Sequence, residues 1–286
     1  NNNKNKESLK FFNSSRPIKE YHPSYMENYL FSLVVNKKIK KAINEITMVK
    51  NKNFTDFFEA ELLLLSNSLK NKDYKNSILY LNNLKDYENE GTFEFIISSI
   101  LEDFVYMFNY NKIKNSQNNN LGNLSLISKA FQSCYLGKKN TDIIFQNIIN
   151  SPEGGYSRYL FFYINYLLSQ NHYKKAEIET RNINNLNSTL LLSQTKEWVE
   201  GKNFKEFNNI FSCKNSNDII GEFFFLISNL YSSQGEFKKS NFYFNLSNYF
   251  NPKFKFNFSL LAENYFEIGD FKKSKETLEE FDEKNN

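Results

Sequence analysis

Residue types that mark enzymes and metalloproteins are scarce in this chain. It has two histidines, two cysteines and one tryptophan among 286 residues. Cys134 and Cys213 form no CxxC pair, so the sequence holds no cysteine-based metal motif and leaves open either one disulfide or two free thiols. It also lacks the HExxH, GxSxG and GxxxxGKS/T motifs. We therefore expect no metal, no cofactor and no catalytic residue, and a protein that is not an enzyme.

Glycine, proline and long apolar runs are scarce as well. Nine glycines and four prolines favour helices joined by short turns over a β-rich fold. The apolar run at 159–168 is far shorter than the roughly 20 residues of a membrane span, so we expect no such span. A net charge of +4 is too small to indicate a nucleic-acid partner. Thirty phenylalanines and 18 tyrosines, by contrast, supply ample material for a core.

One short phrase occurs twice near the C-terminus. NLYSSQGEFKKSNFYF begins at Asn229 and ENYFEIGDFKKSKETL begins at Glu263, so equivalent residues lie 34 positions apart. A shorter pattern, an aromatic residue or isoleucine followed by Lys, Lys or Asn, and a small residue, also occurs three times upstream. Its small residues are Ala42, Ser77, Ala176, Ser240 and Ser274. Successive small residues are separated by about one, three, two and one periods of 34 residues. The longer gaps therefore predict degenerate units near 104–119, 124–150 and 189–212.

The repeated positions have physical roles in a pair of antiparallel helices. The small residue lies in the second helix, where a larger side chain would overpack the contact with the first. The aromatic residue three positions earlier, Phe237 or Phe271, is expected on the same face and in the core. Gly235 and Gly269 fall where a first helix ends in a left-handed residue. Pro252 follows the second helix and closes the unit.

These positions resemble the tetratricopeptide repeat family, over about 23–283 and most closely over 221–283. The matching positions are Tyr231, Gly235, Phe237, Ser240, Phe244, Ser247 and Pro252 in one repeat, and Tyr265, Gly269, Phe271, Ser274 and Leu278 in the next. The resemblance implies an all-α fold, an α-solenoid of about eight antiparallel helix pairs in a right-handed superhelix, with degenerate early repeats. The run of units is also similar to bacterial, alphaproteobacterial-type tetratricopeptide proteins of unknown role. Its resemblance to exported bacterial repeat proteins implies a periplasmic location for this chain in preference to a cytoplasmic one.

Three segments are expected along the chain. Residues 1–16 are polar and predict a disordered tail. Residues 17–216 hold the degenerate repeats, and 217–286 hold two well-matched ones. Leu278 and Phe281 lie on a face of the last helix that no polar cap follows. We expect either that the natural protein continues beyond Asn286 or that this uncapped helix forms an end-to-end contact.

The resemblance also implies a concave groove lined by the first helix of each repeat. Its predicted lining is Arg158, Phe161, Asn165, Glu222, Phe225, Asn229, Ser233, Phe256 and Glu263. Phe225 either anchors a peptide in this groove or packs against the next repeat. We expect a non-catalytic scaffold that binds a peptide or protein there. The alternatives are an RNA-binding helical-repeat protein, which needs a more basic lining than this one, and the repeat region of a larger enzyme.

Overall fold

The computed structural model describes residues 5–15, 24–49, 52–89, 91–114, 121–151, 157–181, 183 and 188–282. Within these ranges the chain forms α-helices, turns and short 3-10 segments, with no β-strand, which confirms the predicted all-α class. Sixteen α-helices occur in the described residues. They are α1 (Asn5–Ser14), α2 (Tyr25–Val35), α3 (Ile39–Met48), α4 (Phe58–Lys70), α5 (Tyr74–Leu84), α6 (Phe93–Tyr110), α7 (Asn123–Leu136), α8 (Thr141–Ile149), α9 (Arg158–Ser169), α10 (Tyr173–Thr180), α11 (Leu190–Glu200), α12 (Lys205–Ile210), α13 (Ser216–Ser233), α14 (Phe237–Phe250), α15 (Phe258–Glu267) and α16 (Phe271–Asp282).

Seven helix pairs are joined by the same kind of turn. Each turn contains one residue with a positive φ, between 56° and 77°: Lys37, Lys72, Gly137, Asn171, Lys202, Gly235 and Gly269. In the turn at Gly235, the glycine N–H donates to the Ser232 carbonyl at 2.9 Å and the next N–H donates to the Tyr231 carbonyl at 2.9 Å. The other six turns repeat this pair of bonds, which defines the Schellman motif. The prediction for Gly235 and Gly269 is therefore confirmed.

Two of the three expected degenerate units are helix pairs. Helices α7 and α8 occupy the region predicted at 124–150, and α11 and α12 occupy the region predicted at 189–212. Trp198 of α11 packs edge-to-face on Phe207 of α12, with ring centroids 5.3 Å apart. Over 104–119 the structure shows the end of the single helix α6, and 115–120 lie outside the described residues.

The small residues of the repeat are buried in the contact between paired helices. Ala42, Ser77, Ala176 and Ser240 are 0% exposed, and Ser274 is also buried. In α13–α14 the Ser228 hydroxyl donates to the Ser240 carbonyl at 2.8 Å, and in α15–α16 the Ser274 hydroxyl donates to the Ala262 carbonyl at 2.8 Å. The buried hydroxyls are thus paired across the contact, as buried polar groups require.

Some aromatic positions of the repeat differ from expectation. Phe271 is 62% exposed, where we expected a core residue, and Phe237 is only partly buried. Each is the first residue of its helix. Phe271 packs edge-to-face on Phe266 at the surface, with centroids 5.2 Å apart. Tyr231 and Tyr265 are buried, and α14 ends at Phe250, two residues before the exposed Pro252.

The second lysine of the Lys-Lys pairs lies over a tyrosine of the preceding helix. The ammonium-to-centroid distances are 6.0 Å for Lys41 and Tyr29, 5.7 Å for Lys175 and Tyr163, 5.3 Å for Lys239 and Tyr231, and 5.4 Å for Lys273 and Tyr265. Cation–π contacts of this kind contribute about 0.5–1 kcal/mol each at exposed sites. These lysines therefore belong to the contact between paired helices.

The helices divide into two compact units, whose boundaries fall within α6 and α13. The terminal unit consists of Asn1–Val105 and Ile220–Asn286, and the central unit is Tyr106–Ile219. In this division the N-terminal helices group with the C-terminal ones.

In the terminal unit, helices from the two ends of the chain pack on each other. Phe31 of α2 meets Phe242 of α14 with ring centroids 4.6 Å apart. The Lys70 ammonium donates to the Phe250 carbonyl at 2.9 Å, at the C-terminal end of α14 where a cation is favourable. Lys37 pairs with Glu280 at 2.8 Å. The repeat period specifies contacts between sequence neighbours only, so it did not predict this packing.

A buried amide joins three helices of the terminal unit. Asn264 of α15 is fully buried, and its Nδ2 donates to Ser240 Oγ at 2.8 Å and to Asn241 Oδ1 at 2.9 Å, both on α14. Its Oδ1 accepts from the Ser232 hydroxyl of α13 at 2.6 Å. Because donors and acceptor are all paired, this network fixes the register of the two repeats.

The first helix corrects the expectation of a disordered N-terminal tail. Asn5–Ser14 forms α1, and Leu9 is buried. The Phe12 ring packs edge-to-face on Tyr25 of α2 at 5.4 Å, and the Tyr25 hydroxyl donates to the Phe12 carbonyl. Leu9 and Phe12 are three positions apart and so share a helix face, which lets a mostly polar segment dock. Residues 1–4 and 16 lie outside the described residues.

The central unit has an aromatic core and a disulfide. Phe211 packs edge-to-face on Phe162 of α9 with centroids 4.7 Å apart. Cys134, near the end of α7, is bonded to Cys213, which decides between the two states that the sequence left open. The bridge closes a loop of 79 residues around α8 to α12.

A polar cluster joins α8, α9 and α10 in the central unit. Asp142 accepts from the Tyr163 hydroxyl at 2.7 Å and from the Lys175 ammonium at 2.8 Å. Burial would raise the pKa of Asp142, but these two donors outweigh it and lower that pKa. Burial and the hydrogen bond to Asp142 raise the pKa of Tyr163 to about 12. The tyrosine therefore stays neutral and holds the carboxylate in place.

Replacing Lys72 by glycine should stabilise the terminal unit by up to about 1 kcal/mol. The change removes a left-handed backbone penalty of about 1–2 kcal/mol. The greater freedom of glycine in the unfolded chain offsets about 0.5–1 kcal/mol of this gain. Lys72→Ala is the matched control, because alanine keeps the Cβ and hence the penalty. Urea unfolding followed by circular dichroism measures both. An equal change in the free energy of unfolding for the two variants would show that this turn is unstrained.

Replacing both cysteines by serine should destabilise the central unit by about 2–5 kcal/mol, since the bridge restricts the unfolded chain over a long loop. Trp198 is the one tryptophan of the chain and lies in this unit, so its fluorescence in urea reports the central unit selectively. Dithiothreitol should lower the midpoint of the natural chain and leave that of the serine variant unchanged. A natural chain insensitive to the reductant would contradict the prediction.

Candidate functional site

A polar cleft of about 560 Å³ opens in the terminal unit, between the first two helix pairs. It is lined by the end of α3, the segment before α4, the first turns of α4 and one face of α5. The lining residues are Thr47, Asn53, Thr55, Asp56, Glu61, Leu64, Tyr80 and Asn83. Phe57 is extended, with φ −158° and ψ 155°, so the chain enters α4 abruptly after Asp56. The cleft thus lies where one repeat stacks on the next.

Two hydrogen bonds hold the carboxylates of this cleft. Asn83 of α5 donates from Nδ2 to Glu61 Oε2 at 2.9 Å. The Tyr87 hydroxyl donates to Asp56 Oδ1. An ionised carboxylate offers about four acceptor positions, so each group can accept further donors from a ligand. The cleft therefore presents oriented acceptors beside the amides of Asn53 and Asn83.

The residues that line the cleft carry negative charge. The pKa of Tyr87 is raised above its ordinary value, first by burial and then by its hydrogen bond to Asp56 and the charges of Asp56, Glu61 and Asp86. The eight lining residues include two carboxylates and no lysine or arginine. A negative charge that opposes ionisation of the tyrosine attracts a cation in the same way. Leu64 and Tyr80 add an apolar wall.

In the central unit, two of the three predicted groove residues are inaccessible. Phe161 is 0% exposed and stacks on Phe207, with centroids 5.6 Å apart and ring planes 11° apart. Asn165 is 3% exposed, and its amide donates to the Phe211 carbonyl at 3.0 Å. The predicted peptide contacts are thus taken by the chain itself, which corrects both assignments. Arg158 is partly exposed, with its guanidinium over the Phe162 ring at 5.6 Å.

In the terminal unit, the predicted groove residues divide into buried and exposed ones. Glu222 and Phe225 are 3% and 8% exposed, so both are buried and neither offers a surface to a ligand. Asn229, Ser233 and Glu263 are exposed. Phe256 is partly buried and packs on Phe281 at 5.9 Å. None of the predicted residues lines the polar cleft.

The cleft residues carry no motif by which the sequence could have indicated them. They come from two different repeats, and only the stacking of α3 on α4 brings them together. One weak signal was present, since Asp56 and Glu61 flank the start of α4. On a helical repeat such acidic residues are usually solvated, so this spacing alone would not predict a site.

The described residues contain no group of three or more His, Cys, Asp and Glu side chains placed to bind a metal ion. None of the helices described above is both long and apolar enough to cross a membrane. His172, an exposed residue, lies in the turn before α10.

No protein-family model matches the chain, and no curated protein or solved structure is significantly similar to it.

Proposed function

We propose that this chain is a non-catalytic scaffold of tetratricopeptide-like helix pairs, and that it binds an extended segment of a partner protein in the polar cleft. The observation that carries the proposal is the cleft itself, a negatively charged opening between two helix pairs with amide and carboxylate groups on its walls. The support for the repeat class is the spacing of the left-handed turns. From Gly137 onward these residues are 34, 31, 33 and 34 positions apart.

The lining defines the chemistry of the bound segment. Asp56 and Glu61 match a lysine or arginine side chain, since charge-assisted hydrogen bonds to carboxylates are the strongest in proteins. Leu64 and Tyr80 suit the methylene stem of such a side chain. Asn53 and Asn83 have both donors and acceptors, which suit the backbone of an extended peptide. The partner segment therefore carries at least one basic residue. The same negative charge disfavours RNA, whose phosphates need basic surfaces.

Fluorescence anisotropy with labelled nine-residue peptides tests the proposal. A set with central Lys or Arg is compared with the same set bearing Gln or Glu. We expect the basic peptides to bind, and more weakly as salt is raised, because exposed charges are screened. The double variant Asp56→Asn, Glu61→Gln keeps the size of both side chains and should weaken this binding tenfold or more.

The matched control removes two exposed charges on α15, with Glu263→Gln and Glu267→Gln. Glu263 belongs to the groove predicted from the sequence, so this control compares the two candidate surfaces directly. Binding lost only in the α15 variant would move the site to that groove. Preference for acidic peptides, or tighter binding of a uridine oligonucleotide than of any peptide, would overturn the proposal.

A further inference from the structure

The last helix of the terminal unit, α16, exposes a stripe of four charged side chains. The stripe consists of Lys272, Lys275, Glu276 and Glu279, whose side chains are between 56% and 87% exposed. Neighbours along the stripe are three or four positions apart, so they share one face of the helix. Among the described residues their ion pairs run along α16 itself, at 3.9 and 3.6 Å. Ser274 is buried on the opposite face and donates to α15, so the stripe points away from that helix.

The charges of α16 run against the dipole of the helix. Its first turn carries lysines and no acidic residue, and its last turn carries glutamates and no basic residue. A helix N-terminus favours negative charge and a C-terminus favours positive charge, so this order disfavours an isolated helix. Lys273 and Glu280 are balanced within the unit, by Asp270 at 2.7 Å and by Lys37 at 2.8 Å. The stripe has no such balance from another helix described here.

The order of charges along the stripe is symmetric about its middle. Lys275 and Glu276 form the centre. Three positions further out lie Lys272 on one side and Glu279 on the other. When two α16 helices lie antiparallel across a two-fold axis at this centre, each lysine therefore faces a glutamate of the other copy. The basic half of each helix then lies beside the acidic half of its partner, which is the self-complementary pattern that a two-fold contact requires.

An exposed apolar flank lies beside the stripe. Phe271 and Leu278 are seven positions apart on one side of α16, and they are 62% and 48% exposed. Phe266 of α15 is 58% exposed and extends this flank through its edge-to-face contact with Phe271. In the antiparallel arrangement, Phe271 of each copy faces position 280 of the other, two residues from Leu278. The two flanks therefore cover each other.

The equivalent face of α14 already binds a helix in this unit. Lys238 and Phe242 lie 34 positions before Lys272 and Glu276. The Lys238 ammonium donates to Asn28 Oδ1 of α2 at 2.9 Å, and the Phe242 ring packs on the same helix. The outer face of a second helix is thus a helix-docking surface in one repeat. In the next repeat no other described helix covers it.

We propose that a second copy of this chain binds here: two α16 helices pack antiparallel across a two-fold axis, through the charged stripe and the apolar flank, and form a dimer. Two alternatives were expected for this helix from its sequence, a continuing chain or an end-to-end contact, and the order of its charges supports the contact. The inference is independent of the polar cleft and of what binds there.

Sedimentation equilibrium of the natural chain tests the dimer. Between about 1 and 100 µM we expect the mass to rise from that of one chain to that of two. Raising the salt concentration should weaken the dimer, because ion pairs between exposed side chains are screened. The mass of a single chain throughout this range, or growth beyond two chains, would overturn the proposal.

Reversing the charges of the stripe gives a sharper test. The double variant Lys272→Glu, Lys275→Glu has a wholly acidic stripe. The double variant Glu276→Lys, Glu279→Lys has a wholly basic one. Like charges then face each other, so the dissociation constant of each variant alone should rise about tenfold or more.

An equimolar mixture of the two variants should dimerise at least as tightly as the natural chain. Mixing would not rescue a misfolded chain, so this recovery separates lost charge complementarity from lost structure. A mixture that fails to associate, or a single variant that associates like the natural chain, would contradict the two-fold contact.

A third variant tests the apolar flank. Leu278→Ser should raise the dissociation constant of the dimer about tenfold, because it removes apolar surface that the contact buries. The matched control is Leu190→Ser, at a leucine of the central unit that is 56% exposed, and it should leave dimerisation unchanged. An equal effect of the two changes would count against a contact through α16.

Discussion

The left-handed residue between paired helices is the constraint on which the rest of the structure depends. In five of the pairs, the small residue lies five positions after it: Lys37 and Ala42, Lys72 and Ser77, Asn171 and Ala176, Gly235 and Ser240, Gly269 and Ser274. Because the turn has the same geometry each time, the second helix returns against the first at the same point. That point allows only a small side chain, and its position defines the repeat period.

This constraint can be recognised in the sequence only at the two C-terminal helix pairs. Glycine at 235 and 269 is a recognised helix end, so the two C-terminal pairs were predicted with their turns. Lysine has no preference for the left-handed region, and therefore nothing at positions 37, 72 or 202 marked a turn. Those turns form because two backbone hydrogen bonds and the packing of both helices outweigh the local penalty. For the same reason, the degenerate repeats keep the helix-pair structure.

The candidate site was less predictable than the fold, for a different reason. The repeat period predicts which faces of neighbouring helices meet, but not which other parts of the chain cover those faces. Phe161 and Asn165 have the register of groove residues, yet Phe207 and Phe211 cover them from a later helix and the segment after it. The cleft beside α4 depends on the stacking of two pairs, and the contact of α2 with α14 joins residues about 200 positions apart. Local patterns contain no information at that range.

The contact of Phe31 with Phe242 also bears on how the chain folds during synthesis. The ribosome completes α2 long before it reaches α14, and at roughly 5–20 residues per second the intervening stretch takes on the order of 10 s or more. Throughout that interval the aromatic face of α2 lacks its native cover while the central unit emerges and folds. The nascent N-terminal helices therefore present an apolar surface of the kind that chaperones bind, and the terminal unit closes only after α14 has been synthesised.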